Sequence, residues 1–244
     1  MPTRMEIEKV KKFYNKFFES PTYSPLSNYG LNLRKELIIK FAGIQKGESV
    51  IEVGCGIGII TKTLAVHSDK VVAVDISENR IHYAIMSMNK NELEKINFVV
   101  GDIYNLPFKD HFFDVIVCSE VIEHLSHQKK GIKELLRIMK CRLIITCPNP
   151  FNPFLILCKL FGISYGRQII DNPPSIFKLK KMIKSVDKNL EITKYHTFYY
   201  PLPIVNTITK NNQRVQKFFI KVSKILDCQN LYIGLHQILR IDRM

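Results

Sequence analysis

From residue 50 onward, short unbroken apolar runs take turns with stretches of helical periodicity. The runs are Val50-Ile51-Glu52-Val53, Val71-Val72-Ala73-Val74, Phe98-Val99-Val100, Val115-Ile116-Val117-Cys118 and Leu143-Ile144-Ile145. Rich in β-branched residues and not alternating with polar ones, they fit strands of a sheet covered on both faces. Between them the spacing predicts helices over 57–65, 78–88 and 129–139, the second with Ser77 as N-cap. Strand and helix in alternation predict an α/β fold built on a doubly wound parallel sheet.

Ahead of this core, Ile7, Val10, Phe13, Tyr14, Phe17 and Phe18 recur at helical spacing with lysines opposite, an amphipathic helix. Residues 21–30, with two prolines and two tyrosines, read as a loop, and 31–41 as a second amphipathic helix. Beyond Cys147-Pro148-Asn149-Pro150 the pattern loosens. A helix over 175–186, a strand over 192–200, a basic helix over 211–225 and a last strand over 232–241 are expected there. No linker composition interrupts the chain. One domain is therefore expected over 1–244, with a helical cap (1–44), a ligand-binding core (45–148) and a variable, substrate-side half (149–244).

The chemistry concentrates in Glu52-Val53-Gly54-Cys55-Gly56-Ile57-Gly58, between a strand and a helix. Glycines let the chain turn sharply and let a ligand approach where a Cβ would clash. The helix that follows turns its free N–H groups toward that ligand. A nicotinamide-dinucleotide fingerprint needs glycines at 54, 56 and 59. Here the third glycine is Gly58 and position 59 is Ile59, which disfavours a dehydrogenase. Asp75 ends the second run, where a carboxylate can accept from both hydroxyls of a ribose. Gly101-Asp102-Ile103 ends the third, where an acid can accept from an adenine amino group. The fourth run leads into Ser119-Glu120-Val121-Ile122-Glu123-His124-Leu125. Four such elements at the carboxyl ends of successive strands converge on the crevice where open sheets bind ligands.

Residues 48–150 resemble the class I methyltransferase core, especially the branch typified by ubiquinone-biosynthesis O-methyltransferases. The resemblance implies a Rossmann-like sheet of seven strands with an antiparallel last strand, and S-adenosylmethionine as cofactor with S-adenosylhomocysteine as product. It implies that Glu52 and the loop residues Gly54, Cys55, Gly56 and Gly58 shape the pocket for the methionine part. Asp75 would bind the ribose, Ile76 would pack on the adenine, and Asp102 with Ile103 would fix the adenine edge. Ser119 would lie beside the sulfonium, and the N-terminal helix with the Tyr23/Tyr29 loop would form a lid. A sulfonium methyl is already electrophilic, so alignment of the nucleophile is the main demand. A general base is needed only where the acceptor must lose a proton, and His124 and Glu120 are the candidates. Both residues also suit plain structural roles, as a helix-face charge and a packed imidazole. The spacing Glu120-x-x-Glu123-His124 is similar to the metal site of small-RNA 3′-end 2′-O-methyltransferases and of some magnesium-dependent quinone-precursor enzymes. The RNA enzymes add a histidine from beyond the fifth strand, 150–190 contains none, and the same Glu-His-Leu string occurs in metal-free relatives, so no metal is expected.

Composition narrows the acceptor little. The 244 residues are 46% hydrophobic and 24% charged, ordinary for a globular chain. Six cysteines form no C-x-x-C pair. The charged start and the short apolar stretches predict a cytoplasmic protein. The formal net charge is +14, and residues 149–244 hold 15 Lys+Arg against 5 Asp+Glu. That asymmetry suits an anionic or amphiphilic acceptor, a peripheral membrane contact, or nucleic acid, although no RNA-binding module is visible. The apolar segments 151–161 and 198–205 tilt the reading toward a small or lipid-like acceptor, methylated at oxygen or carbon. An RNA methyltransferase using the basic half, or a non-catalytic cofactor-binding partner protein, are the alternatives.

Overall fold

The computed structural model describes residues 3–16, 25–152, 156, 172–198, 214–215, 217–218, 221–222 and 234–243, with backbone alone for 25–28. Helices α1 (Arg4–Lys16) and α2 (Pro25–Ala42) precede strand β1 (Val50–Val53). Then follow α3 (Ile59–His67), β2 (Val71–Asp75), α4 (Glu78–Met86), α5 (Lys90–Lys95), β3 (Ile96–Val100) and β4 (Phe113–Ser119). A 3-10 turn (Ile122–His124), α6 (Gln128–Ile138) and β5 (Met139–Pro148) lead to α7 (Ile176–Val186), β6 (Glu191–Phe198) and β7 (His236–Asp242). The seven strands form one sheet in the order β3-β2-β1-β4-β5-β7-β6. Strands β1 to β5 run parallel, and β7 wedges antiparallel between β5 and β6. The expected seven-stranded sheet with an antiparallel last strand is what the chain builds.

The unbroken apolar runs are explained by burial on both faces. Ile51, Ile116, Cys118, Leu143 and Ile145 point to a core shared with Leu135 and Leu136 of α6 and Leu179 and Ile183 of α7. Their neighbours Val50, Val115, Val117 and Ile144 point to the opposite core, with Ile38 and Phe41 of α2 and Leu64 of α3. From β1 the chain winds outward through β2 and β3, then returns to place β4 on the other side of β1. The winding reverses there, and the crevice opens at the carboxyl ends of β1 and β4.

Two local expectations are corrected. Residues 25–30 are the opening of α2, not loop. A proline in the first turn of a helix forfeits no hydrogen bond, so Pro25 starts the helix that its composition seemed to forbid. Helix α5 was not expected from its polar sequence; a capping box, Asn89 with Glu92, fixes its start. Ser77 caps α4 as expected, accepting from Arg80 N at 3.3 Å. Phe17, Phe18, Tyr23 and most of 151–161, 199–205 and 211–225 lie outside the described residues.

The amino edge of the sheet is tied down by ion pairs. Arg142 of β5 binds Glu48 and donates to the terminal carbonyls of α2 at Ala42 and Gly43. Asp114 of β4 accepts from the Ser49 N–H (2.9 Å) and hydroxyl (2.7 Å) and pairs with Lys140 at 2.7 Å. Arg240 pairs with Asp242 and reaches the Phe41 carbonyl.

Candidate functional site

The loop after β1 is folded over the end of β2, because the N–H groups of Gly54 and Cys55 both donate to the Val74 carbonyl, at 2.7 and 2.9 Å. Gly54 has φ +82°, and a Cβ there would lie 2.2 Å from a methyl of Val121, beyond β4. No other residue fits that position. At Gly58 a Cβ would sit 2.7 Å from the Met88 methyl and 3.2 Å from Ala84, so this glycine lets α4 lie close to the start of α3.

Asp75 sits at the end of β2, buried, and its two carboxylate oxygens accept from Gly56 N (2.7 Å) and Ser77 N (2.9 Å). Burial raises its pKa, against these bonds and the nearby Arg80. Glu52, 2% exposed in the middle of β1, accepts from the Thr61 hydroxyl. Burial pushes its carboxyl up to about 8. Asp102 accepts from Tyr104 N at 3.0 Å, and burial raises it as well. Ser119 turns toward β5, its hydroxyl 2.8 Å from that of Thr146.

A cavity of about 250 Å³ opens over these strand ends. Gly54, Asp75, Ile76, Asp102, Ile103, Glu120 and His124 line it, as expected cofactor or chemical residues. Glu52, Cys55, Gly56, Gly58 and Ser119 stand outside the lining. Tyr29 lies on α2, also outside it. The roof is α1, which presents Ile7, Val10 and Tyr14 to the cavity. Polar contacts at the far end of α1 hold it there. Ser77 Oγ donates to Asn15 Oδ1 (2.7 Å), Asn79 donates to Asn15 O (2.9 Å), and Arg80 lies 4.6 Å over the Tyr14 ring. The residue that caps α4 and braces Asp75 therefore also grips the roof.

At the other end of the cavity Glu120 collects charge. Its carboxylate meets His236 Nδ1 at 3.0 Å, the Thr146 hydroxyl at 3.1 Å and Arg34 at 3.5 Å. Burial alone would raise Glu120, but His236 and Arg34 outweigh it and hold the carboxyl below the usual carboxylate range. His124 lies on the 3-10 turn, its Nε2 3.8 Å from the buried Glu123 and its ring 6.5 Å from that of Tyr14. No cluster of three or more His, Cys, Asp or Glu side chains among the described residues could hold a metal. Arg34, Arg80, Tyr14 and His236 escaped the sequence reading. Arg34 and His236 are 202 positions apart, and only the sheet brings them together. Arg34 is one of three cations in the amphipathic helix 31–41, and nothing local singles it out.

A doubly wound sheet with a glycine loop after its first strand and acids ending the next two defines a nucleoside-cofactor site. Residues 51–142 match the family model described as a methyltransferase domain. The chain is 26% identical over 98% of both lengths to the ubiquinone biosynthesis O-methyltransferase of Rickettsia prowazekii. It is 36% identical to that of Coxiella burnetii, over 39% of this chain and 40% of that protein. The fold is shared with geranyl diphosphate C-methyltransferase of Streptomyces coelicolor, at TM-score 0.67, 13% identity and full coverage of both chains. Magnesium protoporphyrin IX methyltransferase of Synechocystis, crystallised with S-adenosylhomocysteine, gives TM-score 0.65 and 16% identity over 97% of this chain and 99% of that one. These relations support an S-adenosylmethionine-dependent methyltransferase, with residues 51–142 as its methyltransferase domain.

Proposed function

We propose that the chain methylates a hydroxyl of a small amphiphilic molecule, an aromatic diphenol of the quinone-precursor kind. The observation that carries this reading is the relation to a ubiquinone biosynthesis O-methyltransferase along 98% of both chains, far beyond the cofactor loop. In support, Phe151, Ile156 and Phe177 are exposed, with Phe151 and Phe177 edge to face at 6.1 Å. Lys178 and Lys181 stand exposed beside Phe177. Aromatic surface rimmed by lysine suits an acceptor with an apolar tail and an acidic ring, met at a membrane surface. No described helix is long and apolar enough to cross a membrane. A cytoplasmic location goes with this reading, and cell fractionation tests it.

The residues fit the cofactor. Gly54 leaves space where a Cβ would collide, and Asp75 and Asp102 keep acceptor lone pairs beside the cavity. We assign Asp75 to the ribose hydroxyls, Ile76 to the adenine face, and Asp102 with Ile103 to the adenine edge. Arg34, whose buried Nε has no hydrogen-bond partner among the described residues, is the cation for the methionine carboxylate. Glu52, Cys55, Gly56, Gly58 and Ser119 shape the loop and strand ends from behind, and Tyr29 supports α2. The bound cofactor supplies an electrophilic methyl, which leaves the protein to align the acceptor oxygen. The acceptor's proton leaves to a group on the cavity wall, and His124 and Glu120 are the candidates to take it.

The test is transfer of labelled methyl from S-adenosylmethionine into fractionated extract of the source cells. Label in the organic-soluble fraction is expected. Label in RNA would overturn the reading and make the basic half 149–244 a docking surface. Absence of label, with S-adenosylhomocysteine bound, would make the chain a non-catalytic partner. His124→Ala is expected to lower turnover while leaving cofactor affinity intact.

A further inference from the structure

We propose that His236 is a positioning residue, holding Glu120 so that its carboxylate receives the hydrogen bond of the acceptor's hydroxyl. This rests on the O-methylation reading above and names the group that would enforce it.

Glu120 is the first residue past β4, and its φ of +57° lies in the left-handed region, uncommon outside glycine. Such a backbone persists only where its surroundings over-determine it. They do so here from three elements. The Glu120 N–H donates to the Thr146 carbonyl at 2.9 Å, and the Thr146 hydroxyl donates to the carboxylate at 3.1 Å, both from β5. Arg34 approaches from α2 at 3.5 Å. His236, at the start of β7, brings Nδ1 within 3.2 and 3.0 Å of the two carboxylate oxygens. What the left-handed turn achieves is direction: Glu120 lines the cavity, whereas an extended residue would continue the strand.

His236 itself does not line the cavity. It is 6% exposed at the side chain and lies 5.6 Å from the Phe198 ring. It therefore acts through Glu120. An ionised carboxylate only accepts hydrogen bonds, so Glu120 favours an acceptor that donates one, a hydroxyl over a bare carbon nucleophile. Pinning that proton turns a lone pair of the acceptor oxygen elsewhere, which serves alignment. The fixed negative charge also compensates the positive charge that builds on oxygen as it is alkylated. Arg34 on α2 is the charged group facing the pair, and the titratable thiol of Cys147 on β5, buried beside it, is kept protonated by burial and by the charge of Glu120.

The test uses 3,4-dihydroxybenzoate as the diphenol probe, with full-length protein. Its affinity is measured by calorimetry in the presence of S-adenosylhomocysteine, and its turnover with labelled S-adenosylmethionine. His236→Phe is expected to weaken the diphenol about tenfold and to lower kcat, with S-adenosylhomocysteine affinity within about twofold of wild type. His236→Asn, whose amide can donate from near the Nδ1 position, is expected to restore most of both. Glu120→Gln should match the His236→Phe loss, and the double variant should be no worse than Glu120→Gln alone. Equal losses in the Phe and Asn variants, additive losses, or a parallel loss of cofactor affinity would each assign His236 to packing. A wild type that neither binds nor methylates the diphenol overturns the O-methylation reading and this proposal with it. An active wild type with unchanged variants overturns the proposal alone.

Discussion

The two edges of the sheet hold two sets of acids, Glu48, Asp114 and Asp242 at one and Glu52, Asp75 and Asp102 toward the other, under opposite influences. At the amino edge Glu48, Asp114 and Asp242 are each matched to a cation. A hydrogen bond from Arg142 holds Glu48 below its usual range. Burial would raise Asp114 and Asp242, but Lys140 with Ser49, and Arg240 with Thr193, outweigh it and pull both down. At the carboxyl edge burial wins at Glu52, Asp75 and Asp102, and their pKa values rise; Glu120 is the exception there, held down by His236 and Arg34. Acids that are fully satisfied contribute to holding the fold. Acids left short of cations retain an interaction for a ligand to complete, which is how a binding edge differs from a structural one.

Perturbing each edge separately tests that contrast, and the largest effect belongs to the amino edge. Arg142→Met leaves Glu48 and the last carbonyls of α2 without their donor. A loss of about 3–5 kcal/mol in urea unfolding is expected, with S-adenosylhomocysteine affinity unchanged within about twofold. An equal fall in affinity would show that the edges are not separable. Asp75→Ala reverses the pattern: calorimetric affinity falls about tenfold or more, and stability moves far less than in the arginine variant.

A pH series sharpens the comparison further. Glu52 has its folded pKa raised from 4.5 to about 8, so the folded chain holds a proton that the unfolded chain has released. The stability this contributes is present below pH 4.5 and is lost as pH rises through 8, at about 1.4 kcal/mol per pH unit in between. Glu52→Gln should flatten that slope in unfolding measurements without cofactor; an unchanged slope would remove Glu52 from the account. The smallest effect is expected at the roof. Asn15→Ala removes the grip of Ser77 on α1 and should cost about 0.5–1 kcal/mol of cofactor affinity, leaving the unfolding midpoint unchanged.

Strands β1 to β5 were legible because burial on both faces demands unbroken β-branched runs, which few other environments do. Asp75, Asp102 and Glu120 were legible for a related reason: each follows a run that names its own end. Helix α5 has no apolar face to announce it, only the Asn89–Glu92 box. The opening of α2 was hidden by Pro25, whose helix-breaking reputation does not extend to a first turn. The Arg34–Glu120–His236 group could not be read in advance, since it depends on β7 inserting beside β5 instead of following β6 at the sheet edge. No local pattern encodes that order.

That insertion has a consequence for how the protein is made. Among the described residues β6 pairs with β7 alone, so β6 emerges from the ribosome before its partner exists. Until β7 arrives, β5 presents the unpaired edge of an otherwise finished parallel sheet, with Leu143, Ile144 and Ile145 along it. Such an edge invites pairing with a neighbouring chain. Loss of the seven residues His236–Asp242 would therefore strip two strands from the sheet, and the arrival of this late segment closes both the fold and the end of the cavity that Glu120 faces.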